Sequence, residues 1–143
     1  MSKAIKFSDN VYLDSDSVVF KKQTLKNLLN YSEKEQIIGT WMGKTLYRKT
    51  ISTTETFTAS VNLHIPHGVE NVDKMWIDVS NSYLFENTNK VSIPIISTGY
   101  YDDFEQPINA MVYNKNIILY TKEGGWGSAW TKVVTVRYTK TTD

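Results

Sequence analysis

Apolar and polar residues alternate along much of this chain with a period of two, the pattern of strands that bury one face. The clearest run alternates Met75, Ile77 and Val79 with Lys74, Trp76 and Asp78. Further strands are predicted at residues 61–65, 91–95, 110–113, 116–121 and 134–138. Several short strands separated by polar turns predict an all-β protein, an antiparallel β-sandwich of jelly-roll-like type.

Glycine, proline and asparagine mark the turns between these strands. Pro66-His-Gly68 ends one strand, and Asn114-Lys115 is the turn of a hairpin. Met42-Gly43-Lys44 provides the tight turn of a second hairpin, which spans residues 40–49. Pro94 cannot donate a ladder hydrogen bond, so we expect it at a sheet edge or at the end of a strand.

The first 30 residues show a different pattern. Residues 3–20 predict one or two short strands around the turn-forming Asp14-Ser-Asp16. Leu25, Leu28 and Leu29 then recur at helical spacing and predict one short helix over residues 24–30. About two helical turns are not stable alone in water. We therefore expect this helix either to dock onto the domain or to pack against copies of itself.

A turn separates this region from the strands. Ser32-Glu-Lys-Glu35 has the form of a capping box, with Gly39 as the end of the short turn that follows. We expect an N-terminal attachment and oligomerisation arm at residues 1–30 and a β-sandwich module at residues 31–143. A chain of 143 residues is long enough for one such domain.

Charge and composition exclude several classes of protein. The net charge is +1 without a block of like charges, so we predict no nucleic-acid partner. There is no cysteine, which excludes disulfides and thiol chemistry. We expect neither a signal peptide nor membrane insertion, because no apolar run is long enough. Oligomerisation is one way to stabilise a domain that lacks disulfides.

Three blocks of sequence follow one another between residues 31 and 143. The first is Tyr31-Ser-Glu-Lys-Glu-Gln-Ile-Ile-Gly-Thr-Trp41, followed by Gly43-Lys44 and Leu46-Tyr47-Arg48-Lys49. The second is Ile65-Pro-His-Gly-Val69 with Asn71-Val72-Asp73, and the third is the last predicted strand, from Val133 to Asp143, which we expect to complete a sheet. In this order the blocks resemble the C-terminal β-rich module of tailed-bacteriophage structural proteins.

The resemblance implies a component of the virion, assembled in the host cytoplasm. It implies a small trimeric fibre or appendage on the head or tail that contributes to host-surface attachment. The arm would bind other virion proteins, and a host cell-surface glycan is a candidate partner. The alternative is a purely structural capsid-decoration or baseplate-connector protein. The resemblance brings no catalytic residue and no cofactor.

Two clusters of polar residues have the composition of metal or catalytic sites. His64 and His67 lie close to Asp73, but we expect His67 to hydrogen-bond the turn backbone rather than a metal. Asp102, Asp103 and Glu105 form a calcium site if backbone oxygens join them, or a pair of glycosidase carboxylates if they flank a cleft, although a solvated loop is the simpler interpretation. A polysaccharide-degrading fibre enzyme is therefore a lesser alternative, and we predict no catalytic or metal-binding residue.

Aromatic residues provide the candidate ligand contacts. Trp126 lies in a glycine-rich loop, and its ring and N–H suit recognition of sugars or proteins. Tyr100 and Tyr101 are further candidates. Trp130 opens the last strand, so we expect it in the core or in an interface, and Trp126 to be the more exposed of the two. For subunit packing, the candidates are Leu25, Leu28 and Leu29.

Overall fold

The computed structural model describes residues 5–8, 11–13, 31–56, 58, 61–95, 97–98, 108–121 and 126–143. Strands account for most of these residues. They are β1 (Ile5–Ser8), β2 (Val11–Leu13), β3 (Gln36–Trp41), β4 (Lys44–Thr53), β5 (Leu63–Pro66), β6 (Val72–Ile77), β7 (Tyr83–Glu86), β8 (Val91–Pro94), β9 (Ser97–Thr98), β10 (Asn109–Tyr113), β11 (Asn116–Tyr120) and β12 (Trp130–Lys140). The helical structure of the described ranges is one 3₁₀ turn, Val79–Asn81.

The strands form two main sheets and one separate hairpin. The larger sheet has the order β3-β4-β12-β7-β8, and β6 also pairs with β12. The smaller sheet has the order β5-β11-β10-β9, in which the short pair β9 and β10 is parallel and the others are antiparallel. β1 and β2 pair with each other. The predicted all-β antiparallel sandwich is confirmed.

β12 lies in the middle of the larger sheet. On one side it pairs with β4 from Lys132 to Tyr138, and on the other it pairs with β7 near its start and with β6 near its end. Its alternate residues Val134, Val136 and Tyr138 are completely buried. The sequence predicts that this strand completes a sheet. The strand does belong to the sheet, but with neighbours on both sides it is the central strand.

The core lies between the two sheets. The larger sheet contributes buried side chains from β6, β7 and β12, and the smaller sheet contributes them from β5, β10 and β11. Burial of this apolar area is the main source of stability in such a layer arrangement. The buried apolar residues of the core are Leu63, Ile65, Ile77, Leu84, Ile95, Ile108, Ala110, Ile117, Leu119, Val134, Val136 and Tyr138.

Both predicted hairpins are confirmed. Trp41 pairs with Lys44, and the two residues between them have φ angles of 48° and 80°. A two-residue hairpin turn with positive φ at both positions matches the twist of its strands, and Gly43 adopts such a φ without steric cost. Asn114, with φ of 53°, lies in the turn that joins β10 and β11. Pro94 ends β8 at the edge of the larger sheet, also as expected.

The turn predicted to run from the Ser32–Glu35 capping box to Gly39 is shorter than expected, because β3 already begins at Gln36. The Ser32 hydroxyl accepts a hydrogen bond from the Lys34 N–H, so it caps a local turn. Glu35 instead accepts bonds from the Tyr138 hydroxyl at 2.6 Å and from Lys140 Nζ. Gly39 lies within β3, beside an irregularity in its register with β4. The backbone groups of residues 36–41 obtain their hydrogen-bond partners by pairing with β4.

β1 and β2 lie within residues 3–20, where the sequence predicts one or two short strands, and they pair antiparallel. The predicted turn at Asp14-Ser-Asp16 lies outside the described residues. The predicted helix over residues 24–30, with Leu25, Leu28 and Leu29, lies outside the described residues. The division into an arm and a sandwich module stays a prediction.

Glu35, which directly precedes β3, is hydrogen-bonded to two residues of the last strand, β12. Partial burial by itself would raise the pKa of Glu35, but the hydrogen bonds from Lys140 and Tyr138 and the charge of Lys140 outweigh it. The pKa of Glu35 therefore lies below its ordinary value. A carboxylate whose pKa is lowered by folding stabilises the folded state at pH values above the pKa that the same group has in the unfolded chain.

We predict that this contribution is lost on acidification. As the pH falls from about 5 through the lowered pKa of Glu35, the carboxylate is protonated and its attraction to Lys140 disappears. Chemical denaturation at a series of pH values should show a steeper loss of stability in the wild-type chain than in Glu35→Gln. Tyr138→Phe removes one hydrogen-bond donor to Glu35, so the stability of this variant should fall less steeply on acidification than that of the wild type. Identical acid dependence in wild type and Glu35→Gln would contradict the assignment.

Candidate functional site

The outer face of the larger sheet carries polar and aromatic side chains in regular rows. Alternate residues of β4 and β12 point away from the core and form this face. The register places Ser52 opposite Val133, Thr50 opposite Thr135 and Arg48 opposite Arg137. On the far side of β12, Tyr83 pairs with Val133 and Trp76 pairs with Arg137. The middle of the face therefore carries hydroxyl groups, and one end is basic and aromatic.

The ladder beside β12 is interrupted opposite Thr135. β6 ends at Ile77 and β7 begins at Tyr83, and the 3₁₀ turn Val79–Asn81 lies between them. At this break the Asp78 N–H donates to the Thr135 carbonyl at 2.8 Å. Residues 79–81 leave the strand path there, so the sheet has a local gap on that side.

A serine side chain replaces the missing backbone partner at this gap. The Thr135 N–H donates to the Ser82 hydroxyl at 3.0 Å, and that hydroxyl donates to the Asp78 carbonyl at 2.7 Å. All three residues are buried. Buried backbone groups without a partner are costly, so Ser82 stabilises the interruption of the ladder.

A pocket of about 170 Å³ opens on the outer face at this gap. Exposed Tyr31 and Tyr83 stand at its rim, while the buried Thr50 and Thr135 form its floor, with their hydroxyl oxygens 3.0 Å apart. Within the described ranges its wall is uncharged. The lining residues are Tyr31, Thr50, Ser80, Asn81, Tyr83, Val133 and Thr135.

The charged groups near the pocket are engaged with other side chains. Arg137 donates from Nε and Nη2 to one carboxylate oxygen of Asp78, at 3.0 and 2.8 Å. Asn81 Nδ2 donates to the same oxygen at 3.0 Å. These bonds hold the 3₁₀ turn against β12 and neutralise the Asp78 charge.

Arg48 supports the rim of the pocket from below. Burial lowers the pKa of this guanidinium, which donates to the Gln36 side chain at 3.2 Å. The guanidinium carbon lies 4.0 Å from the centre of the Tyr31 ring. A cation at this distance from an aromatic face is attracted to it, so Arg48 fixes the position of the Tyr31 ring.

The aromatic end of the face contains two tryptophans. The rings of Trp41 and Trp76 are 5.3 Å apart at a tilt of 51°, and Lys74 Nζ lies 5.1 Å from the centre of the Trp41 ring. Both indoles are half-buried. Trp76 is the neighbour of Arg137 across the sheet, so this pair extends the outer face beyond the pocket.

A second pocket, of about 440 Å³, lies between the β5–β6 connection and the β10–β11 turn. His67 is buried beside it and bonds the backbone through both ring nitrogens, as predicted. Nδ1 accepts from the Val69 N–H and Nε2 donates to the Asn114 carbonyl, each at 3.1 Å. These bonds require the neutral tautomer with its proton on Nε2.

The other members of the predicted metal cluster have different environments. His64 is exposed on β5, and Asp73 accepts a bond from Lys44 at 2.7 Å. In the part of the chain that the structure describes, no three histidine or acidic side chains form a group able to hold a metal ion.

The structure places Trp126 and Trp130 against each other. Their rings meet edge to face with centres 4.9 Å apart, and both pack against the core. The core position of Trp130 agrees with the prediction. Trp126 is half-buried like Trp130, and its indole N–H is buried without a partner among the described residues. It is thus less available to solvent than expected, and its role in ligand contact stays a prediction.

Several predicted site residues lie outside the described residues. They are Leu25, Leu28, Leu29, Tyr100, Tyr101, Asp102, Asp103 and Glu105. Their expected roles in oligomerisation, ligand contact and ion binding stay predictions.

The rim and floor of the outer-face pocket were not identified from the sequence. The available signal is Ser80-Asn81-Ser82, a polar run between two segments with strand alternation. Such a run favours an interruption, but it does not reveal which residues of β4 and β12 lie beside it.

Comparisons with known proteins add no assignment. The chain matches no protein-family model, and no curated protein or solved structure is significantly similar to it. Among the described residues, no helix is long and apolar enough to cross a membrane.

We predict that Ser82→Ala destabilises the fold. The substitution removes the acceptor of the buried Thr135 N–H and should lower the free energy of unfolding by about 1–3 kcal/mol. Denaturant titration measures this change. Ser92→Ala, on the exposed edge strand β8, is the matched control and should change stability by less than about 0.5 kcal/mol. Equal effects of the two substitutions would show that Ser82 does not stabilise the gap.

Proposed function

We propose that this chain is a non-catalytic structural protein of a tailed bacteriophage particle. In this proposal it forms a small trimeric fibre or appendage that contributes to attachment to the host surface. The support comes from the phage-module resemblance in the sequence and from the positions of the resembling segments in the fold.

The observation that carries the proposal is that the three resembling blocks are in mutual contact. The first block contains β3 and the first part of β4, and the third contains most of β12. The two blocks pair at three positions, where Tyr47, Arg48 and Lys49 lie opposite Tyr138, Arg137 and Val136. Glu35 of the first block bonds Tyr138 and Lys140 of the third. Blocks that are far apart in sequence thus belong to one packed unit.

The second block contacts both of the others. Lys49 Nζ donates to the His67 carbonyl at 3.0 Å, and Lys44 pairs with Asp73 at 2.7 Å. The Thr141 N–H donates to the Asn71 carbonyl at 2.8 Å. A shared module requires such contacts between its blocks, and their presence supports the proposal.

The outer face of the larger sheet is the proposed contact surface. Its pocket has exposed tyrosines at the rim and a fixed polar floor, an arrangement suited to weak, specific contacts. A trimer would present three such pockets, and simultaneous engagement raises the overall affinity well above that of one contact. The alternative function, a capsid-decoration or baseplate-connector protein, keeps the same module without a ligand.

We predict that the protein is present on phage particles and binds host cells. Immunogold electron microscopy of particles from an expressing phage lysate should label the head or tail, and the purified fluorescent chain should bind the host bacterium. Labelled particles without cell binding would favour the decoration or connector role. Unlabelled particles would contradict the proposed function.

We also predict a trimer in solution. Light scattering of the full chain should give about three times the 16.4 kDa mass of one chain. Replacing Leu25, Leu28 and Leu29 together by serine should yield the monomer, because subunit packing is assigned to their apolar side chains. The control is Val61→Ser, which changes an exposed apolar residue of the sandwich module and should leave the trimer intact. A monomer mass for the wild-type chain at micromolar concentration would contradict the prediction.

A further inference from the structure

We propose that the pocket between Tyr31 and Tyr83 binds one uncharged sugar ring. This inference rests on the proposed function for the source of the ligand, the glycans of the host surface. The pocket supports it through four properties: its size, its hydrogen-bonding groups, its aromatic rim and its lack of charge.

The size of the pocket suits one six-membered ring. Its volume is about 170 Å³. For comparison, a protein cavity of roughly 150 Å³ admits a benzene molecule. The six-membered ring of a sugar is close to benzene in size and fits this volume, while its hydroxyl substituents and the rest of a glycan extend through the opening on the outer face.

The floor and one wall offer groups that complement sugar hydroxyls. In the pair formed by Thr50 and Thr135, one hydroxyl donates to the other, which leaves one hydroxyl hydrogen uncommitted among the described residues. Asn81, which lines the pocket, uses its amide nitrogen to bond Asp78, so its amide oxygen is the acceptor that it can offer to a ligand. The exposed Ser80 hydroxyl can donate and accept. Sugar hydroxyls, which also do both, match this mixture.

The rim offers two aromatic rings. Tyr31 and Tyr83 are 44% and 38% exposed, so their faces are accessible at the mouth of the pocket. A tyrosine combines an apolar ring with a polar tip, which suits the apolar C–H face and the hydroxyl edge of a sugar. Arg48 holds the Tyr31 ring in place, which reduces the ordering required when a ligand binds.

The charge distribution favours an uncharged sugar over an acidic one. The lining within the described ranges is uncharged, and the nearby Arg137 is paired with Asp78. A carboxylate placed in the pocket would lose hydration, while Arg137 is already paired with Asp78 and the Arg48 guanidinium already contacts Gln36 and Tyr31; an uncompensated charge is costly to bury. The same Asp78 carboxylate would repel an anion near the 3₁₀ turn.

The experiment is a ligand titration of the full chain followed by nuclear magnetic resonance. The probes are glucose, galactose, mannose, N-acetylglucosamine and glucuronic acid at millimolar concentrations. At least one uncharged sugar should shift the amide signals of Thr50 and Thr135, and glucuronic acid should bind at least about tenfold more weakly. Tyr83→Ser should weaken the binding about tenfold, because it removes one aromatic face.

Tyr113→Ser is the matched control, since Tyr113 is 56% exposed but lies at the end of β10 in the smaller sheet. The Tyr113→Ser variant should bind the uncharged sugar with the same affinity as the wild type. Ser80→Ala, an exposed change, provides a second pocket variant that should also weaken binding. The inference is overturned if no uncharged sugar shifts the pocket signals, if glucuronic acid binds equally well, or if Tyr83→Ser binds as tightly as Tyr113→Ser.

Whole-cell binding separates this inference from the proposed function. If the wild-type chain and Tyr83→Ser label host cells equally, the pocket does not bind the glycan of the host surface, while the attachment function stands. If the pocket binds an uncharged sugar but the protein is absent from phage particles, the proposed function fails, and the binding site remains.

Discussion

The position of β12 at the centre of the larger sheet is the constraint on which the rest of the structure depends. The strand has eleven residues, and neighbours pair with it on both sides. One face supplies Val134, Val136 and Tyr138 to the core, while the other places Thr135 and Arg137 on the outer face. Because side chains alternate in a strand, a shift of one residue in its pairing would exchange the two faces. The core and the candidate site thus share one register.

The interruption beside β12 joins stability to the candidate function. A regular ladder would satisfy Thr135 through backbone partners and would leave no room for a pocket. The 3₁₀ turn opens that room, and Ser82 together with the Asp78 N–H supplies the hydrogen bonds that the ladder loses. The backbone groups of Thr135 and the Ser82 hydroxyl are buried and hydrogen-bonded at this point, which makes the gap rigid rather than adaptable. Its rigidity is what gives the pocket a defined shape.

The sequence predicted the local features of the fold well and the site poorly. Alternation over residues 110–121 and the Asn114-Lys115 turn correctly gave a hairpin, because both signals are local and agree. The turn predicted from Ser32 to Gly39 stops before Gln36, because residues 36–41 pair with β4 and Glu35 binds Tyr138 and Lys140, about a hundred positions away. The sequence does not predict that Tyr31 and Tyr83 line one pocket, because nothing in their spacing indicates it.

The sequence by itself determined that this protein is all-β, where the β3–β4 and β10–β11 hairpins turn and that Val134, Val136 and Tyr138 of β12 share one face. These properties follow from interactions within a few residues and from the period of two. The tertiary structure alone decided that β12 is central, that three distant segments form one unit and that a pocket opens beside Thr135. Those properties depend on which strands become neighbours, and such pairing is set by the packing of the whole core rather than by any local pattern.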